Sequence, residues 1–142
     1  MTSEQNKAIV RRFYEALVSN DLAVLNEVLA PDFVAHSFGA PGPQSREVHL
    51  QGIGVWNAAF ETDFTLRDQI AEGDRVATHT TMHAIHNRGD FQGLPPTGKK
   101  VEIGGITIER IKDGRIVERW VYSDRLGVLL QHGLVPPPQS TR

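Results

Sequence analysis

The chain has 142 residues, with 15 Lys plus Arg against 17 Asp plus Glu and no cysteine. That length fits one domain able to bury a core without staples, and the missing thiols exclude a disulfide framework, a thiolate zinc site and a cysteine nucleophile. The scattered, nearly balanced charge offers no footprint for nucleic acid, and no apolar run approaches the ~18 residues of a membrane span. Because Met1-Thr-Ser-Glu-Gln-Asn-Lys7 also lacks the apolar centre of a signal peptide, the expectation is a soluble, cytoplasmic protein.

Thr2 or Ser3 can cap a first helix with Gln5 placed for a capping box, and Ile9, Val10, Phe13, Tyr14, Leu17 and Val18 recur at helical spacing to about Asn20. Asp21 caps a shorter helix carrying Leu22, Leu25, Val28 and Leu29, which Pro31 stops. Phe33 to Ser37 reads as a short strand, and the Gly/Pro-rich stretch Phe38 to Pro43 as a loop at a pocket rim. Val48, Ile53, Trp56, Ala59 and Phe60 suit a third helix from Ser45 to Phe60, although Gly52 and Gly54 weaken it.

The character then changes. Phe64 to Ala71, Arg75 to His86, Val101 to Ile111 and Arg115 to Ser123 are rich in Thr, Val and Ile and read as four strands. Glu72-Gly-Asp74 and Lys112-Asp-Gly114 are tight turns between antiparallel neighbours, and the connection through Gly93 to Gly98 is longer. Asp124 opens a last helix that Gly133 ends. Helices followed by meandering strands predict an α+β fold in which N-terminal helices pack on a strongly curved, mostly antiparallel sheet, a cone-shaped barrel with a central pocket. Residues 1–134 form the single domain, and 135–142 form a Pro-rich tail. The uncovered sheet face is expected to pair in a homodimer.

Side chains alternate along a strand, so Ile116, Glu118, Trp120 and Tyr122 should share one side of the last strand, with Asp124 at its end. An aromatic wall ending in a carboxylate suits a small-molecule pocket with an acid or base, because desolvation raises a carboxylate pKa toward working pH. An aspartate at a helix start is equally an N-cap. Trp56, Phe60, Phe38 and Tyr14 are further candidates for the pocket wall, and His36 is the first-ranked hydrogen-bond donor to a developing oxyanion. His79 and His83 share a strand face but lie ~13 Å apart, too far for one ion, so no metal site is expected. His86 falls on the other face and can stabilise the turn or contact substrate. His49 and His132 carry no special signal.

The sequence resembles the SnoaL-like polyketide cyclases, within the superfamily of nuclear transport factor 2 and ketosteroid isomerase. The resemblance is carried by Asn6 to Tyr14, Pro31-Asp-Phe-Val34 with His36, Ile70-Ala-Glu-Gly-Asp74, Gly89 to Gly98, Asp113 to Trp120 with Asp124, and Leu129 to Gly133. It implies that Asp124 serves as acid/base in an intramolecular aldol ring closure, or a related isomerisation, of a small apolar carbonyl substrate without metal or cofactor. Two departures alter the expected pocket: Ala35 stands where relatives often have an acidic residue, and His79 and Thr80 where they often have Arg and Trp. A non-catalytic ligand-binding module is the alternative. Epoxide hydrolysis on the same fold is a weaker one, because Val101 to Arg110 lacks the Arg-x-Asp that the resemblance associates with that chemistry.

Overall fold

A computed structural model describes residues 1–37, 41–131 and 136. The elements in order are α1 (Ser3–Ser19), α2 (Leu22–Val28), β1 (Leu29–Ser37), β2 (Gln44–Ser45), α3 (Arg46–Ala59), β3 (Phe60–Glu72), β4 (Arg75–His86), β5 (Lys100–Lys112), β6 (Arg115–Ser123) and α4 (Arg125–Gln131). The strands form one sheet in the order β2-β1-β6-β5-β4-β3, antiparallel except where β1 runs parallel to β6. The sheet curls around the helices without closing, so β2 and β3 remain edges, and the expected α+β cone is the observed fold.

Local chemistry explains most boundaries. Thr2 and Gln5 make the reciprocal capping box at 2.8 and 3.1 Å, and Asn20 ends α1 in the left-handed conformation at φ 53°. Asp21 Oδ1 accepts from Val24 N–H at 3.1 Å and starts α2. Ser45 caps α3 through Val48 N–H at 3.2 Å, and the helix runs through Gly52 and Gly54 without interruption.

Two strands are longer than their sequences suggest. β1 reaches back through Pro31 to Leu29, and the β1–β6 pairing breaks between Leu29 and Val34, so Pro31 need not donate to the ladder. β3 begins at Phe60, directly after α3, and takes in Glu61 and Asp63. These poor strand formers are tolerated because β3 is an edge strand, where charge discourages pairing with another chain.

Register shift decides what β6 presents to the helices. Arg110 pairs with Glu118, but Ile111 pairs with Ile116, leaving Val117 in excess as a bulge. One extra residue reverses the alternation. Ile116 is therefore buried in the helix-facing core, whereas Trp120 and Tyr122 point to the convex face together with Glu118, and Arg119 turns inward. This corrects the expectation that Ile116, Trp120 and Tyr122 share a side.

The core has two parts. Val10, Phe13, Tyr14 and Leu17 of α1 pack with Leu25, Leu29, Phe33, Val76, Ile111 and Ile116 at the narrow end. Ala59, Phe60, Ala84, Val101 and Ile103 pack with Trp56, Met82, Phe91 and Val128 at the other. No helix among the described residues is long and apolar enough to cross a membrane.

Candidate functional site

Between the two apolar clusters, the concave face carries a buried polar ring. Arg119 of β6 faces Glu109 of β5 as a direct cross-strand partner, with Nε donating to Glu109 Oε2 at 2.9 Å. Thr107, two residues along β5 on the same face, donates its hydroxyl to Glu109 Oε1 at 3.1 Å. That proton being used, the 2.8 Å contact between Thr107 Oγ1 and Tyr14 Oη requires the Tyr14 phenol to donate. Arg119 Nη2 donates to Tyr14 Oη at 3.3 Å and closes the ring.

Outside the ring, Arg119 Nη1 donates to His49 Nε2 at 3.0 Å, which leaves the His49 proton on Nδ1, 3.4 Å from Gln44 Oε1. The guanidinium also lies 4.8 Å from the Phe13 ring centroid. Burial dominates the electrostatics. It pushes the Tyr14 phenol and the Glu109 carboxyl up, with Arg119 opposing both. It drives His49 down to about 3, and the Arg119 charge adds to that. Burial alone would lower Arg119, but Tyr14 and Glu109 outweigh it and the guanidinium stays charged.

A groove of about 330 Å³ runs between α1 and β3 alongside this ring, with Tyr14, Val18, Phe64 and Leu66 as its apolar wall and Arg11, Glu15 and Asp63 at its rim. At the wide end of the sheet, Trp56 stacks on Phe60 with centroids 4.0 Å apart, Phe60 stacks on His86 at 4.7 Å, and Phe91 meets both Trp56 and Phe60 edge-on. Trp56 Nε1 donates to Thr62 Oγ1 at 2.9 Å, and His86 Nε2 lies 2.7 Å from Gly89 O, pinning the start of the β4–β5 connection. Asp124 sits at the end of β6, its N–H bonded to Gly104 O at 3.0 Å, and caps α4 by accepting from Gly127 N–H at 2.8 Å through Oδ1. Its side chain is exposed and does not line this groove.

The sheet thus divides the sequence-derived candidates. Tyr14, Trp56, Phe60 and His86 lie on the concave side. His36 lies on the convex side, with its Nε2 2.7 Å from Glu118 Oε2 and its ring stacked on Trp120 at 5.4 Å, while Arg75 covers the same indole. Hydrogen bonding with His36 holds the Glu118 carboxyl below its ordinary range, against the effect of burial, and Arg110 adds to it. Tyr122 is 55% exposed on that face. Phe38 lies outside the described residues. Thr107, Glu109, Arg119 and His49 escaped the sequence reading. The available signal was a glutamate and a threonine at the inward positions of β5, which otherwise reads Val101, Ile103, Gly105 and Ile111. No group of three His, Cys, Asp or Glu among the described residues is placed to hold a metal ion.

A curled, mostly antiparallel sheet wrapped around helices is the fold shared by nuclear transport factor 2 and its relatives. The sequence profile of the SnoaL-like polyketide cyclases matches residues 8–132, and the chain belongs to that family. Among solved structures, IdmH of Streptomyces antibioticus, described as a candidate polyketide cyclase, is 36% identical, with a TM-score of 0.83 over 91% of this chain and 99% of its own. AclR of Streptomyces galilaeus, described as a candidate hydroxylase, is 27% identical, with a TM-score of 0.86 over 95% of this chain and 100% of its own. An LEH-like epoxide hydrolase of M. tuberculosis, 18% identical with a TM-score of 0.73 over 93% of each chain, shares the fold alone. No curated protein matches the chain.

Proposed function

We propose that the protein is a cofactor-free cyclase or isomerase that takes a small apolar carbonyl compound on the concave side of the sheet, with Asp124 as acid/base. The observation that carries this reading is the concave face itself: an apolar groove walled by Tyr14, Phe64 and Leu66 beside a buried cation, together with the aromatic group at the wide end. An enolate or alkoxide formed there would be favoured if the Tyr14 phenol exchanges its hydrogen bond to Thr107 for one to the oxyanion, with Arg119 Nη2 still donating to the phenol oxygen. Asp124 lies outside that groove at the end of β6, and its part as acid/base rests on its match to the aspartate of the family resemblance; there Gly127 N–H holds one carboxylate oxygen while Oδ2 has no partner among the described residues. Membership of a cyclase family and 36% identity to IdmH support the reaction class.

The test is turnover of a panel of poly-carbonyl substrates by wild type and Asp124→Asn. Asparagine retains the cap, so a loss of roughly 10²-fold or more in kcat with an unchanged Tm is expected. Unchanged turnover would remove Asp124 from the chemistry. The competing reading, a ligand-binding module without turnover, draws on the fact that the ring donors are all engaged internally. Ligand binding with no product from any substrate would favour it.

We also infer a homodimer through the convex face, supported by exposed Tyr122, Ile106 and Ile70 there.

A further inference from the structure

Only two of the fourteen residues of α3 are buried, Ala59 and His49. His49 lies in the first turn of the helix with its ring 5.6 Å from that of Phe33, where an apolar side chain would pack without desolvating a polar group. Both of its nitrogens have partners: Nε2 accepts from Arg119 Nη1 at 3.0 Å, and Nδ1–H faces Gln44 Oε1 at 3.4 Å. Nε2 accepts only while unprotonated, since an imidazolium would turn an N–H against the guanidinium. Burial, and after it the Arg119 charge, lower the His49 pKa to about 3, so the acceptor persists through the neutral range. The guanidinium is then held at three nitrogens: Nε by Glu109 at 2.9 Å, Nη1 by His49, and Nη2 by Tyr14 Oη at 3.3 Å. A fork held by Glu109 alone could pivot about that one bond, whereas three partners fix its plane. The bond to Tyr14 is the longest of the three and the first to be lost when the plane tilts.

We propose that His49 is a positioning residue of the concave site, holding Nη1 of Arg119 so that Nη2 stays aimed at the phenol of Tyr14. Its role rests on the reading above, in which a substrate oxyanion takes the Tyr14 hydrogen bond. Thr107 gives its proton to Glu109 and therefore only accepts from Tyr14. A phenol that turns its proton from Thr107 to an oxyanion still accepts from Nη2, and the guanidinium charge makes it the stronger donor. Without His49 the phenol and the carboxylate remain, but the charge that polarises the phenol is no longer fixed. His49 does not line the groove walled by Tyr14, so its removal acts on kcat rather than on KM.

The first test needs no substrate: heteronuclear NMR of the nitrogen-labelled full chain. Wild type should show His49 as the Nδ1–H tautomer with Nε2 unprotonated at neutral pH, and separate, slowly exchanging Nη1 and Nη2 protons on Arg119. His49→Gln should keep the Arg119 signals apart, because its amide can accept from Nη1 and donate to Gln44. His49→Phe should merge them. A protonated Nε2 in wild type, or separate Arg119 signals in His49→Phe, overturns the proposal. Should that variant fail to fold, His49→Leu takes its place, and the wild-type tautomer decides on its own. With a substrate from the poly-carbonyl panel, His49→Phe should lose roughly 10²-fold in kcat at unchanged KM, and His49→Gln should stay within a few-fold of wild type. An unchanged kcat in His49→Phe also overturns the proposal. If wild type turns over nothing in the panel, the cyclase reading fails, and the nitrogen spectra still decide whether His49 holds Arg119.

Discussion

Glu109 and Arg119 face each other across β5 and β6, both withdrawn from solvent, with the guanidinium Nε 2.9 Å from the carboxylate. A buried pair of this kind is costly to form and costlier to break, because removing one partner leaves the other charge without compensation. Arg119→Met should therefore destabilise the fold by roughly 3–5 kcal/mol. Adding Glu109→Gln should recover part of that loss. Urea denaturation of the two single variants and the double variant closes the cycle, and simple additivity would show that the two groups do not act as a pair.

His49 makes stability depend on acid. Its folded pKa, lowered to about 3, lies below the ordinary 6.5, so the unfolded chain binds the proton more tightly than the folded one. The stability this contributes is complete above pH 6.5 and is lost as pH falls from there toward 3, by an amount of order 5 kcal/mol. His49→Gln should flatten that part of the curve. Unfolding midpoints of both proteins at successive pH values, taken as a difference, isolate the effect from Glu109 and the other carboxyls.

Adjacent glycines on β5 should respond in opposite ways. A Cβ on Gly105 would stand 2.9 Å from Tyr122 O and 3.4 Å from Thr80 Oγ1, whereas one on Gly104 meets nothing within 4 Å. Gly105→Ala should cost roughly 1–3 kcal/mol, while Gly104→Ala should be neutral or mildly stabilising. Thermal unfolding of the pair tests this, and equal effects would contradict the crowding at Gly105.

Asp124 separates its structural and chemical roles by substitution. Asp124→Ala removes the acceptor for Gly127 N–H and should cost roughly 0.5–2 kcal/mol, whereas Asp124→Asn should cost only a few tenths. A Tm series on these variants fixes the capping contribution against which any loss of turnover is read.

Placing a charge at Ile106, 50% exposed on the convex face, should leave the folded chain monomeric. Light scattering on Ile106→Asp against wild type checks it, and identical masses would remove that face from the assembly.

The elements legible in the sequence are those whose causes are local. Thr2 with Gln5, Asp21, Ser45 and Asp124 each cap a helix within three residues of themselves, and Gly73 and Gly114 stand in left-handed turns at φ 58° and 77°. The strand Arg75 to His86 matches its sequence limits for the same reason. The early start of β3 did not, because an edge strand admits Glu61 and Asp63 that a central strand would reject.

The sequence by itself therefore determined the class of fold, the order of its elements and the aromatic residues available to a pocket, since caps, turns and periodicity act over a few residues. Only the tertiary structure decided which of those residues meet. Val117, one residue in excess against β5, turned Trp120 and Tyr122 to the convex face and Arg119 inward. Arg119 then found Glu109, His49 and Tyr14, which are 10, 70 and 105 residues away along the chain. Their protonation follows from desolvation, a sum over every neighbour that no short stretch of sequence contains.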